Sequence, residues 1–335
     1  MDGGTVPSGM VGTTPEVKMN RSAPSTETAW AYRAAGAAMC SGRISRIPMA
    51  LILSYCEAMT ITPDAPVETR MIDGIPLTPK QVTILGQEAL APAATVAEER
   101  LRRKQKLAGA LRIFGRFGFG EGVAGHITVR DPEFPDHFWV NPLGLSFRHM
   151  RVSDLILVNH HGEVVYGKYA VNRAAYVLHA AVHTARPDVI AAAHAHSVYG
   201  KAFSSLGIKL DALTQDSCAF YENNVVISDH GGAVVFEEAA GRDFAEAFGQ
   251  YRAAIHQNHG HFTVGASVDE AVFWFVCFER CAQAQLAAMA AGTPKHIPHD
   301  SAVYTREQAG NAMTGWAHFQ PLWQEICHTD PELFD

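Results

Sequence analysis

Two histidines one residue apart, His194-Ala195-His196, close the apolar run Val189 to Ala193, and a third, His259, stands in Gln257-Asn258-His259-Gly260 after a second apolar stretch. Residues i and i+2 of a β-strand face the same side. A strand through Ala193 therefore turns His194 and His196 toward one point. Bringing His259 to the same point fixes how the far half of the chain must fold back on it. Three imidazoles on one ion leave positions open for water or substrate, the arrangement of a catalytic rather than a closed site. The competing reading is ordinary hydrogen-bonded histidines, in a chain that carries 17 of them.

The rest of the chain suits such a site. Its 335 residues admit one large domain or two small ones, and 47% hydrophobic with 18% charged residues fits a packed core rather than disorder. A net charge of -7 gives no electrostatic footprint for nucleic acid or an anionic membrane. The apolar run Ile47 to Leu53 is far short of the ~20 residues that span a bilayer, and it lies too far in for a signal peptide. The partner expected is a small-molecule substrate. The six cysteines form no CxxC pair, and Cys277 and Cys281, four apart on an expected helix, read as small buried residues. This usage fits a reducing, cytoplasmic location.

Residues 1–28, rich in Gly, Ser, Thr and Pro, read as a disordered tail. Residues 29–94, broken by repeated prolines, read as an extension that wraps the main domain or a partner subunit. The main domain, 95–335, opens on Thr95-Val-Ala-Glu98, a capping box. Leu101, Leu107, Leu111, Phe114 and Phe117 then recur at helical spacing until Gly118. Strands are expected at 126–130, 138–141, 155–159 and 163–166, the last two joined by a hairpin turn at His160-His161-Gly162. A helix over 173–185 stops at Arg186-Pro187-Asp188, and the strand into the histidine pair follows. Further helices are expected at 197–206, 237–251 and 268–291, the last with Phe273, Val276, Cys277, Ala284 and Ala287 inward, and one more at 306–327. Short strands are expected at 225–227 and 253–257. Helices flanking a mainly antiparallel sheet make a three-layer α/β/α sandwich.

Five segments carry a family resemblance: Gly122 to Arg130, Asn141-Pro-Leu-Gly144, Arg186-Pro-Asp188, His194-Ala-His196, and Asn258-His-Gly260 with Thr263-Val-Gly265. In order and spacing, residues 97–291 resemble the class II aldolase/adducin family. The resemblance implies that His194, His196 and His259 bind one divalent metal ion per chain, zinc in the family's sugar-phosphate aldolases, with Fe(II) the alternative. It also implies a homo-oligomer, tetramer or dimer, with sites near subunit contacts.

The same resemblance shows departures. The family's glutamate base falls on Ala175, which has no proton-transfer capacity. Its phosphate-binding serines fall on Arg173 and Ala174, an asparagine on His126, and a catalytic tyrosine near Gln215. A standard sugar-phosphate aldolase is therefore not expected. A subset of the fold that includes non-haem iron oxygenases, oxidatively decarboxylating aromatic 2-oxo acids, resembles the chain at Phe138 to Pro142 and Leu213 to Glu222, and also lacks the glutamate.

The expected function is a metal-dependent lyase that breaks a C–C bond in a small hydroxy- or oxo-compound, with an Fe(II) oxygenase/decarboxylase and a non-catalytic adducin-like scaffold as alternatives. Tyr221, Asp216 and His126 are the candidate proton carriers. Gly125, Asn141, Gly144, Arg173, Gln215 and His179 are the candidate substrate contacts. His261 is a candidate support for the metal ligands if the strand after His259 continues.

Overall fold

In the computed structural model, residues 70–72, 75–77 and 93–335 are described; the expected tail at 1–28 and nearly all of the extension at 29–94 lie outside them. Strands β1 (Arg70–Ile72) and β2 (Ile75–Leu77) form a small antiparallel pair. Helix α1 (Val96–Arg116) starts as its sequence demands. Thr95 Oγ1 accepts from Glu98 N–H at 3.2 Å, while Thr95 N–H donates to Glu98 Oε2 at 3.0 Å, so the two ends of the box satisfy each other.

Eight strands make the central sheet: β3 (His126–Arg130), β4 (Phe138–Val140), β5 (Ile156–Val158), β6 (Val164–Tyr166), β7 (Ala191–Ala195), β8 (Asn224–Ile227), β9 (Ala253–His256) and β10 (Gly260–Gly265). Their order is β6-β5-β4-β3-β7-β10-β9-β8, antiparallel throughout except for the parallel pair β8–β9. The histidine strand β7 is thus interior, with β3 on one side and β10 on the other.

Helices cover both faces. On one lie α2 (Arg173–Ala185) and α4 (Glu238–Phe248), over a core that includes Phe138, Val177, Leu178, Phe244, Phe248 and Phe262. Burying an aromatic of this size contributes roughly 1.5–3 kcal/mol. The two helices come close because Gly241 has no side chain: a Cβ there would stand 2.8 Å from Val177. The other face carries α1, α3 (Val198–Ser204) and α5 (Val268–Ala291), over Phe203, Leu210, Ile255, Trp274 and Phe278. The three-layer α/β/α sandwich is the one expected.

Some details differ from expectation. The single terminal helix over 306–327 is two, α6 (His299–Ala309) and α7 (Ala312–Thr329). Gly310 sits so close to Ala219, and Asn311 caps the new helix so directly by accepting from Thr314 N–H at 3.0 Å, that the chain restarts there. On α5 the buried stripe runs through Trp274, Phe275, Phe278, Cys281 and Ala282, and Ala287 faces solvent. Arg112, 2% exposed in mid-α1, donates to Met150 O at 2.7 Å and pairs with Glu332 at 2.6 Å in a 3-10 turn at Pro331–Phe334. No helix among the described residues is long and apolar enough to cross a membrane.

Candidate metal centre

The site forms at the end of β7. His194 is on the strand, His196 lies one residue beyond it, and His259 is in the turn between β9 and β10. Asn258 makes that turn with φ of 60°, a conformation asparagine tolerates better than most residues. The three histidines offer ligand atoms that all lie within 4.8 Å of one another. His196 Nε2 and His259 Nε2 are 3.1 Å apart. Two nitrogens bound at ~2.0–2.1 Å to one tetrahedral ion stand ~3.4 Å apart, so this spacing suits a shared ion.

Each of the three fits the role of a metal ligand. His194 Nδ1 lies 2.9 Å from the carbonyl oxygen of His261, which accepts its N–H and leaves the Nε2 lone pair free. That Nε2 is buried with no protein partner, as a nitrogen that binds a metal would be. Burial, with His259 and His196 nearby, holds His194 well below the ordinary histidine pKa. Burial also lowers His196, and it pushes His259 down to about 3. All three are therefore neutral at pH 7, as metal ligation requires.

The sheet register places further groups around them. His126 on β3 and Phe262 on β10 both pair with His194, so the three stand in one row across the sheet. Phe262 stacks on the His194 ring at 4.0 Å with an interplanar angle of 8°. His256 stacks on His259 at 4.8 Å. His126 is 6% exposed and neither of its ring nitrogens has a partner. His179, on α2, reaches over the same face, its ring 5.9 Å from that of His126. Its Nδ1 meets Thr128 Oγ1 at 2.9 Å, and the same hydroxyl meets His183 Nε2 at 2.8 Å.

The remaining expected residues separate into groups. Gly125, with φ of 96°, lets the glycine-rich loop lie against β7, where a Cβ would be 3.3 Å from Ala195. Asn141 is engaged by backbone: its amide accepts from Ile127 N–H at 3.2 Å and donates to Gly125 O at 3.3 Å, clamping that loop. Gly144 is an exposed positive-φ residue in the loop after β4, and Arg173 is exposed at the first turn of α2. Gln215 and Asp216 are exposed, and the Tyr221 hydroxyl lies 3.1 Å from His299 Nδ1 on α6. No hydrogen bond or ring contact among the described residues joins these last three to the histidines. The ring of His261 points to the opposite face, stacked 3.9 Å from Phe275; it supports His194 through its backbone carbonyl instead.

Two supports carry no motif at all. Glu279 of α5, 3% exposed, accepts from Ser197 Oγ at 2.5 Å, Tyr199 N–H at 2.9 Å and Gly200 N–H at 2.6 Å, pinning the segment that follows His196. Glu121 pairs with Lys201 at 2.6 Å, both partly exposed, and the two charges bear on His196 in opposite senses. Arg186-Pro-Asp188 lies at the far end of β7. There Arg186 grips Asp188 at 2.9 and 2.7 Å and donates to Gly249 O at 2.7 Å, a structural clamp rather than a site group.

The family model for the Class II Aldolase and Adducin N-terminal domain matches residues 105–286. The chain is 44% identical over 241 residues to a Streptomyces niveus protein named Decarboxylase NovR, covering 71% of this chain and 89% of that one. It is 43% identical, again over 241 residues, to a 4-hydroxy-3-prenylphenylpyruvate oxygenase/4-hydroxy-3-prenylbenzoate synthase of Streptomyces roseochromogenus subsp. oscitans, covering 71% and 87%. Among solved structures, one titled L-fuculose 1-phosphate aldolase from Glaciozyma antarctica PI12 superposes with a TM-score of 0.69 at 46% identity, covering 74% of this chain and 99% of that one.

Proposed function

Because the chain belongs to the class II aldolase and adducin family, we propose that it is a metal-dependent enzyme that breaks a C–C bond beside a carbonyl in a small oxo- or hydroxy-acid. The observation that carries this reading is the convergence of His194, His196 and His259 with the buried, unpartnered Nε2 of His194. A scaffold would have no use for three neutral imidazoles held together in this way. These three would hold a divalent ion, which would supply Lewis-acid chemistry at a carbonyl oxygen.

The chain's own residues do the rest. His261 O and Phe262 hold His194 in position. Glu279 holds the segment after His196. No carboxylate among the described residues joins the histidine group, and the resemblance puts Ala175 where the family's base stands. This favours a reaction that needs no strong base at that point, loss of carbon dioxide above all. His126 borders the ligands from β3, and Tyr221 and Asp216 would serve from a neighbouring subunit of a homo-oligomer. Val123, Leu143 and Val198, each within two residues of Gly125, Asn141 or His196 in the chain, are exposed.

A second reading, oxidative decarboxylation of an aromatic 2-oxo acid with Fe(II), is favoured by the similarity to the two Streptomyces proteins named as a decarboxylase and an oxygenase. Elemental analysis of protein purified without chelator should find about one divalent ion per chain, by the three-ligand argument above. His194→Ala should lose both the metal and turnover of an arylpyruvate. Full activity in a metal-free variant sinks the proposal. Turnover unchanged under strict anaerobiosis removes the oxidative reading and leaves the redox-neutral lyase.

A further inference from the structure

Four buried nitrogens near the centre lack a partner: His194 Nε2, both ring nitrogens of His126, and His179 Nε2. The first is the metal-facing atom already described. The other three lie on the same face of the sheet, and His126 stands directly opposite His194 across the β3–β7 ladder. Side chains so placed have Cβ atoms ~4.5–5.5 Å apart, close enough for two imidazoles to share an ion. In the present structure the His126 ring leans toward His179 at an interplanar angle of 80°, where neither of its nitrogens finds a hydrogen bond.

We infer that His126 is a fourth imidazole ligand of the ion held by His194, His196 and His259, turning about its Cα–Cβ bond to reach it and donating its second ring N–H to His179 Nε2. This step rests on the metal reading of the site. It gives all four orphan nitrogens a partner through one ion. It also gives His126 the outer acceptor that a metal-bound imidazole ordinarily has. The acceptor is prepared: Thr128 Oγ1 lies between His179 Nδ1 at 2.9 Å and His183 Nε2 at 2.8 Å. A hydroxyl has one proton, so when it donates to His183 it accepts from His179 Nδ1–H, and the His179 Nε2 lone pair then faces His126.

Ligand number has a chemical consequence. Four imidazoles close a tetrahedral zinc site and leave no position for substrate. A six-coordinate ion such as Fe(II) keeps two positions, enough for a chelating oxo-acid. Strand β3, through His126, then supplies the donor that Ala175 on α2 cannot.

The test uses the full-length protein loaded with Co(II). X-ray absorption counts the imidazoles, visible absorption reports coordination number, and chelator competition gives affinity. The wild type should show four imidazoles and the weak visible bands of a high-coordinate ion. His126→Asn should show three imidazoles, stronger bands, and an affinity loss beyond the ~10–100-fold that removal of an outer partner costs. His179→Gln should keep four imidazoles and fall within that range. Three imidazoles in the wild type, or a His126→Asn spectrum unchanged from it, overturns the inference while leaving the three-histidine centre standing. No cobalt in the wild type overturns both. The wild-type count needs no variant, so a poorly folded His126→Asn does not block the answer.

Discussion

Single residues at this centre matter through what they hold still. Glu279 receives three hydrogen bonds from the residues just after His196. Glu279→Ala leaves those donors buried and unmet, at a cost of about 2–4 kcal/mol, and frees His196 to wander. The expected outcome is a lower melting temperature together with a metal affinity reduced ~10–100-fold, as for loss of an outer partner; an unchanged melting curve would count against the anchoring role. The convergence of the three histidines was legible, because an i, i+2 histidine pair and an Asn-His-Gly turn are local patterns. Glu279, Phe262 and the carbonyl of His261 were not. Each acts on His194 or His196 from a different element, and only the register of β7 against β10 and the packing of α5 bring them there. His259 stands in the turn and β10 begins only at Gly260, so His259 and His261 do not share a face and the His261 ring stacks on Phe275.

At the scale of elements, glycines set how near one piece can approach another. Gly200, in the short helix α3, lies beneath the ring of His261, and a Cβ there would meet His261 Nδ1 at 2.4 Å and Ser197 Oγ at 2.7 Å. Gly200→Ala should lift α3 from the sheet and cost about 1–3 kcal/mol of stability. Chemical denaturation is the check, and a variant as stable as its parent would show that α3 can shift freely. Helices α1, α2 and α5 were readable to within a residue or two, since Thr95, Asn172 and Ser267 cap them and Arg186-Pro187 and Gly292 stop them. The break between α6 and α7 was not readable. Asn311 caps α7, and a Cβ on Gly310 would stand 2.6 Å from Arg306 O and 3.2 Å from Ala219 of a distant turn. Asn141, expected as a substrate contact, shows the same limit: its amide bonds the backbone of Gly125 in the glycine-rich loop and of Ile127 on β3.

For the molecule as a whole, the histidines make stability depend on acidity. Burial pushes His179, His183 and His261 down to about 3. Below about 6.5 the unfolded chain takes up protons that the folded chain refuses. Stability is then complete above that pH and falls as pH drops toward 3, by about 1.4 kcal/mol per pH unit for each such histidine. Against a typical reserve of about 5–15 kcal/mol, metal-free protein should lose much of its stability by about pH 5. Melting curves across pH 7.5 to 4.5 provide the check, and a flat profile would mean that these imidazoles take up protons while folded. The three-layer architecture was foreseeable from the alternation of helical and strand patterns. The parallel β8–β9 pair and the interior place of β7 were not, since pairing between distant strands leaves no local trace.

The ion pair between Arg112 and Glu332 also bears on how the protein is made. Arg112 lies in the first long helix, yet its guanidinium is buried against a carboxylate more than two hundred residues downstream. During synthesis that guanidinium can meet its carboxylate only once residue 332 has been made, so the link that fastens α1 to the Pro331–Phe334 turn closes long after the helix itself has been synthesised.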